Sequence, residues 1–284
     1  MSELPEWLGE AALQQFFAST KAAGGEARAV GGCVRDFLIG REAGDVDVAS
    51  TLPPEKTIDI AAQHGWKAVP TGIAHGTVTL VLPQRILEVT TLRRDVATDG
   101  RHATVAYTDN WQEDAARRDF TMNALYMDAA GEITDFFNGR TDITAQRVCF
   151  IGDAGTRIAE DGLRMLRYFR FLASHGKPPA DEAALAAIAA HKHMLTDLSG
   201  ERIAAEMRKL LTVENPAFAL RLLQQSGIAP FIFPCEIIPQ RMIRLHMLEV
   251  QAGYQTSVWA RLVAILHSAC HPGLVPGSGG EASA

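Results

Sequence analysis

Two neighbouring stretches, ARAVGGCVRD (27–36) and GDVDVAST (44–51), decide how this chain is read. In the first, Ala27–Val30 predicts a short strand, Gly31-Gly32 a turn, and the following residues a helix that Gly40 ends. In the second, Asp45, Val46, Asp47 and Val48 alternate polar and apolar, the pattern of a half-buried strand. A strand sends residues i and i+2 to the same face, so the two carboxylates stand side by side. Paired hard anionic oxygens suit Mg²⁺, which keeps water and phosphate among its remaining ligands. Two metals held there would activate an attacking hydroxyl and stabilise a leaving pyrophosphate. Taken alone, Asp-x-Asp reads more readily as a solvated strand edge. The glycines just upstream add weight, because they let backbone approach an anion and open a helix whose first N–H groups are free. Arg35 follows on that helix.

Outward from this centre the pattern stays mixed up to about residue 141. Residues 5–24 read as an amphipathic helix with Trp7, Leu8, Leu13, Phe16 and Phe17 on its apolar stripe, and 54–65 as a helix closed by Gly65. The segments 66–72, 76–83 and 85–92 read as strands. Glu88 lies on the last of these; beside the Asp45–Asp47 strand it would be a third metal ligand or a general base, and elsewhere a plain surface carboxylate. Residues 97–110 are polar and read as a mobile loop. Residues 111–127 read as a helix carrying Arg117-Arg118-Asp119-Phe120-Thr121-Met122-Asn123, followed by a hairpin around Ala130–Gly131. On a helix, Arg118 or Asp119 and Asn123 fall one turn apart, suited to phosphate and ribose hydroxyls or to a salt-bridged face. Beyond residue 141 the periodicity is helical. Asp161 and Arg164, at i and i+3 in the first of these helices, offer an acceptor and a planar donor fork that match the edge of a base or, equally, each other; Arg167 lies one turn on.

Composition narrows the class. The 284 residues are 47% apolar and 21% charged, an ordinary globular mix with room for more than one packed unit. Net charge is −6, which excludes a generally basic nucleic-acid binder and leaves room for local arginine clusters at 93/94, 117/118 and 164/167/170. No apolar run reaches membrane-spanning length, and the start lacks a secretory pattern, so no membrane association and a cytoplasmic location are expected. Cys33, Cys149, Cys235 and Cys270 form no Cys-x-x-Cys pair; zinc and disulfides are not expected. The last residues, 271–284, are rich in Pro, Gly, Ser and Ala and are expected to be disordered.

GGCVRD…DVDVAST, RRDFTMNAL and EDGLRMLRYFRF, in this order and spacing, resemble the class II tRNA nucleotidyltransferases (CCA-adding enzymes) and the bacterial poly(A) polymerases. The resemblance runs from about residue 27 to 175 and more weakly to Pro234. It implies an α+β chain: a polymerase-β-like nucleotidyltransferase head with a mixed sheet and helices, then an all-helical neck and body, with the family's helical tail domain largely missing. The corresponding ranges are 1–145 for the catalytic head, 146–200 for a neck that selects the base, and 201–270 for an RNA-binding body. It further implies that Asp45 and Asp47 bind metal, and that Gly31, Gly32 and Arg35 bind the triphosphate. Arg118, Asp119 and Asn123 would hold ribose and phosphates, while Asp161 and Arg164 would pair with the incoming CTP or ATP. The loop at 97–108 would serve the switch from C to A addition. One departure is Gly162, where the family often has Pro two positions before the template arginine. The implied activity is addition of C, C and A to tRNA 3′ ends from CTP and ATP with Mg²⁺. Poly(A) synthesis, or addition of only A or only CC, shares the same motifs; an inactive RNA-binding relic is the alternative of another kind.

Overall fold

The computed structural model describes residues 4–98, 103–255 and 257–266. The predicted first helix is divided: a 3-10 turn at Glu6–Gly9 precedes α1 (Ala11–Ala22), and Trp7, Leu8, Leu13, Phe16 and Phe17 are all buried. Then follow β1 (Ala27–Val30), α2 (Gly32–Leu38), β2 (Val46–Ser50), α3 (Pro54–Gln63), β3 (Lys67–Gly72), β4 (Thr77–Val81) and β5 (Ile86–Thr91). Next come β6 (Arg93–Thr98), β7 (Ala103–Tyr107), α4 (Trp111–Ala116), β8 (Leu125–Met127), β9 (Ile133–Asp135) and α5 (Gly139–Thr144).

Seven strands form one mixed sheet in the order β3-β4-β5-β2-β1-β8-β9. Every neighbouring pair is antiparallel except β2 and β5, which run parallel. Period-two burial follows from the sequence: Val46 and Val48 on β2, Val78 and Leu80 on β4, and Leu87 and Val89 on β5 are buried, and their neighbours Asp47 and Glu88 are exposed. Helices α1 and α3 pack together, α1 against β1 and α3 against β3, β4 and β5. A second core joins Val30 and Ala49 of the sheet to Leu92, Trp111, Ala115, Ala124, Tyr126 and Ile151. The hairpin at Ala130–Gly131 is present as β8–β9, with Gly131 at φ +87° in its turn.

Two expectations in this region are corrected. Residues 97–110 are not simply a loop: β6 and β7 pair as a hairpin of their own, its tip (99–102) outside the described residues. The helix expected over 111–127 stops at Ala116; a 3-10 turn at Thr121–Asn123 and strand β8 follow. Phe120, extended at φ −121° and ψ 147°, is buried with Met122 and Leu125, so core packing overrides helical propensity there.

The remaining helices are α6 (Ala154–Glu160), α7 (Leu163–His175), α8 (Glu182–His191), α9 (Gly200–Thr212), α10 (Ala217–Gln225), α11 (Gln240–Ala252) and α12 (Val258–Ile265). By compactness the chain divides into two units: residues up to Arg164 with His175–Ala187, and Met165–Ser174 with the residues from Ile188 onward. In the second unit Arg261, 1% exposed, is held by the Glu249 carboxylate and the carbonyls of Leu211, Val213 and Glu214, a buried charge with its donors satisfied. Glu206 there is likewise buried and bonded by Arg170 at 2.6 Å. Cys33 and Cys149 are free thiols, held neutral because burial pushes Cys33 up to about 12 and Cys149 up to about 11. Cys235 is disulfide-bonded, against the sequence expectation, which rested on compartment and not on proximity. The expected disordered tail lies outside the described residues.

Candidate active site

The sheet register builds the centre of the site. Val30, Asp47, Glu88 and Thr79 lie opposite one another across β1, β2, β5 and β4. Asp47 and Glu88 are therefore direct cross-strand neighbours on one face, the condition under which Glu88 joins the carboxylate pair. Asp45 sits in the bend just before β2, not within the strand as expected, and still acts electrostatically on Asp47. Loss of solvation first, then repulsion from Glu88 and more weakly from Asp45, lifts Asp47 to about 6, while Arg118 opposes the rise. The residue keeps exposed surface, so solvent screening tempers a lift that combines partial desolvation with crowded like charges. Two exposed carboxylates in register, with a third close by, are hard oxygen donors short of compensating positive charge; a divalent cation fits them. Among the described residues no group of three or more His, Cys, Asp or Glu is placed to hold a metal ion by itself.

The glycine turn lies against the same place. Gly31 adopts φ +74° and ψ −116°, a conformation that L side chains avoid. A Cβ there would stand 3.5 Å from the Asn123 carbonyl and 3.8 Å from Nη1 of Arg118. Arg118 is held from behind: its Nε donates to Tyr126 Oη (3.2 Å) and its Nη2 to Asp114 Oδ2 (3.1 Å). Asp114 also accepts from Tyr126 Oη at 2.8 Å and from Arg117 Nε and Nη2 at 2.9 and 2.6 Å. Burial would raise Asp114, but Arg118, Arg117 and the Tyr126 hydroxyl outweigh it and hold the carboxyl below its ordinary range.

Arg35 has its present partners within the fold. It is buried, with Nε and Nη2 on Asp36 Oδ1 (2.9 and 2.8 Å) and Nη1 on Asn123 Oδ1 (2.7 Å). Asn123 Nδ2 in turn donates to Asp119 Oδ1 (3.0 Å), which also accepts the Phe120 N–H (2.8 Å). These three residues form a chain of charge-assisted hydrogen bonds bracing α2 against the Thr121–Asn123 turn. His175 approaches Asp36 at 3.8 Å. Burial alone would raise Asp36, yet the nearby His175 imidazole and the Arg35 guanidinium lower it.

Asp161 and Arg164 are not on one continuous helix. Helix α6 ends at Glu160, Asp161 is extended at φ −154° and ψ 107°, and α7 begins at Leu163. Asp161 caps the new helix: its Oδ1 accepts the Leu163 N–H (3.1 Å) and its carbonyl the Arg164 N–H (3.0 Å). Arg164 donates to Glu160 and to the carbonyls of Arg157 (2.8 Å) and Arg117 (2.9 Å), and Arg157 donates to the Ala116 carbonyl (2.8 Å). The pair is thereby fastened to the segment that carries Arg118. Arg167 belongs to the second unit, where it faces Glu206 at 3.9 Å.

Sequence reasoning missed Asp114, Tyr126 and Glu160. A signal existed for two of them. Asp114 precedes Arg117 and Arg118 by three and four positions, and Glu160 precedes Arg164 by four, the helical ion-pair spacings. Nothing in the sequence ties Tyr126 to them.

The mixed sheet thus presents an acidic pair beside a glycine turn, an anchored arginine and a capped helix start. Residues 27–149 match the family described as poly A polymerase head domain, and residues 181–235 the probable RNA and SrmB-binding site of polymerase A. The chain is 43% identical over 210 residues to CCA tRNA nucleotidyltransferase 1, mitochondrial, of Mus musculus, covering 73% of this chain and 48% of that protein. It is 34% identical over 249 residues to the CCA-adding enzyme of Anoxybacillus flavithermus, covering 87% and 62%. The crystal structure of the Bacillus stearothermophilus CCA-adding enzyme in complex with CTP is 37% identical and superposes with a TM-score of 0.70 over 77% of this chain and 52% of that one. A tRNA nucleotidyltransferase complexed with a primer tRNA and an incoming ATP analog, 23% identical, shares the fold with a TM-score of 0.71 over 88% and 74%. The chain belongs to the family of class II CCA-adding enzymes and poly(A) polymerases. It spans about half the length of the curated relatives it matches first, at 48% of each. Among the described residues no helix is long and apolar enough to cross a membrane.

Proposed function

We propose that this chain is a template-independent RNA nucleotidyltransferase that adds C, C and A to tRNA 3′ ends from CTP and ATP, releasing pyrophosphate. One observation carries the reading: Asp47 and Glu88 stand in register on one sheet face, with Asp45 beside them and the anchored Arg118 turned toward Gly31. Asp45 and Asp47 would hold Mg²⁺, with Glu88 as a further ligand or as the base for the primer hydroxyl. Bound magnesium supplies a more acidic attacking hydroxyl and neutralises charge on the departing pyrophosphate.

The chain's own residues do the placing. The side-chain-free Gly31-Gly32 turn lets a triphosphate come close to backbone, and Arg118 meets its charge. Arg35 works at one remove, by fixing Asn123 and through it Asp119 near the ribose. Asp161 and Arg164 would turn from their present contacts with Leu163, Glu160 and the Arg157 and Arg117 carbonyls to offer an acceptor and a donor fork to the base edge, which would suit C and A and reject G and U. Residues 1–145 would be the catalytic head, 146–200 the neck that selects the base, and 201–270 the RNA-binding body. In-line geometry and preorganised charge are the main sources of rate.

The test is incorporation of each NTP separately onto tRNA lacking its 3′ CCA. Uptake of CTP and then ATP, lost in Asp45→Ala and in Asp47→Ala, is the expected result. Uptake of ATP alone on any RNA end would instead make the chain a poly(A) polymerase. Survival of incorporation in both variants would remove the catalytic assignment.

A further inference from the structure

Asp114 is 1% exposed, and the anchored guanidinium it holds has one nitrogen left over. Of the three nitrogens of Arg118, Nε is spent on Tyr126 (3.2 Å) and Nη2 on Asp114 (3.1 Å), while Nη1 has no hydrogen-bond partner among the described residues. That nitrogen lies beside the Gly31 turn, 3.8 Å from where a Cβ would be. The anchor is itself rigid. Asp114 is fixed by Nε and Nη2 of Arg117 and by the Arg93 backbone N–H (3.3 Å), and Tyr126 is packed in the core that includes Trp111 at 5.2 Å between ring centroids. The Arg118 guanidinium carbon is 5.4 Å from the Tyr126 ring centroid, so the ring supports it as well.

An arginine free to rotate would spend its approach to a phosphate on ordering its side chain. One held at two nitrogens has already lost that freedom and presents the third in a fixed direction. The acidic trio is the competing attraction: Arg118 already moderates the charge on Asp47. Without a clamp the guanidinium would swing toward those carboxylates, closing the space a metal and a triphosphate need.

We propose that Asp114 and Tyr126 are positioning residues that clamp Arg118, aiming Nη1 at the triphosphate of the incoming nucleotide and keeping it off the acidic pair. The inference rests on the nucleotidyltransferase reading above. It assigns Asp114 no contact with substrate; its work is done through Arg118.

The experiment is a double-mutant cycle on the full chain, read by equilibrium binding of CTP and ATP and by KM and kcat for incorporation. Tyr126→Phe keeps the ring and removes only the hydroxyl. Asp114→Asn keeps the shape and removes the charge. We expect KM and Kd for CTP to rise about threefold in the first and about tenfold in the second, with KM for the tRNA unchanged. In an Arg118→Ala background both substitutions should have no further effect on nucleotide binding, because the residue they act through is gone. Should Asp114→Asn fail to fold, Tyr126→Phe alone decides, by the same loss of effect in the Arg118→Ala background. Additive effects, or a tRNA KM that rises with the nucleotide KM, would overturn the clamp and leave the function intact. Wild-type protein that binds neither CTP nor ATP would overturn both.

Discussion

Asp47→Asn is expected to stabilise the metal-free protein while abolishing nucleotide incorporation. Asp47 sits at about 6 in the folded chain, against an ordinary 3.8, because desolvation and the Glu88 carboxylate disfavour its charge. A group whose folded value is raised binds its proton more tightly when folded. Its relative stabilisation is complete below about pH 4 and is lost as pH rises through the folded value, so the charged form is a net cost above about pH 6. The full lift corresponds to about 3 kcal/mol. Asp47 is substantially exposed, and solvent screening reduces that to roughly 1 kcal/mol, a rise of about 2–4 °C in Tm for a chain of this size. The assay is thermal unfolding by circular dichroism in EDTA and low salt, at steps from pH 4 to 8, for wild type and variant. The two should coincide near pH 4 and diverge to the full difference above pH 6. Added Mg²⁺ should then raise the Tm of wild type more than that of the variant. A variant less stable than wild type at pH 7.5 without metal, or a gap that does not change between pH 4 and 6, would refute the crowded-carboxylate account.

Three further outcomes follow from other contacts. Gly139→Ala would put a Cβ 2.3 Å from the Thr121 carbonyl oxygen, a backbone atom that cannot swing aside; we expect a loss of about 3 kcal/mol in urea unfolding and a raised KM for CTP, since the Thr121–Asn123 turn must shift. Arg261→Ala leaves Glu249 buried and three carbonyls without their donor, and should cost about 3–5 kcal/mol, measured by urea unfolding, with no direct change at the acidic pair. Arg164→Ala should blur the preference for CTP and ATP over GTP and UTP more than it weakens triphosphate binding; an unchanged preference among the four in single-nucleotide assays would remove its role in base choice.

The head was largely legible because its decisive elements are short and strongly patterned. Val46 and Val48 are buried on either side of exposed Asp47, the two-residue period of a strand, although Asp45 falls in the bend before it. Glu88 was legible only conditionally, since a sequence does not say which strand lies beside which; the parallel pairing of β2 with β5 supplies that. The 111–127 segment was misread because its apolar residues suit a helix, while the helix ends at Ala116 and Phe120, Met122 and Leu125 are buried beyond it. The break at Asp161 was hidden for a related reason. Glu160 through Arg167 fits a helical period throughout, and the extended Asp161 shows only in how its carboxylate caps Leu163. Arg35 illustrates a different limit: an arginine one turn past a glycine pair suits a phosphate and suits a buried brace, and its bonds to Asp36 and Asn123 could not be read from the sequence.

The one parallel pairing in the sheet also bears on the order in which the molecule assembles. Strands β3, β4 and β5 follow one another through short turns and can zip up locally. Joining β2 to β5 instead closes a long loop that contains α3 and both of those turns, the kind of contact that chain entropy delays. Asp47 and Glu88 become neighbours only at that closure. The mutual repulsion of the carboxylates is therefore absent from the unfolded chain and from the early hairpins, and enters when that loop closes. A cation that bridges them would act on the folding rate as well as on the chemistry, lowering a barrier that the sheet's connectivity has placed on top of the future active site.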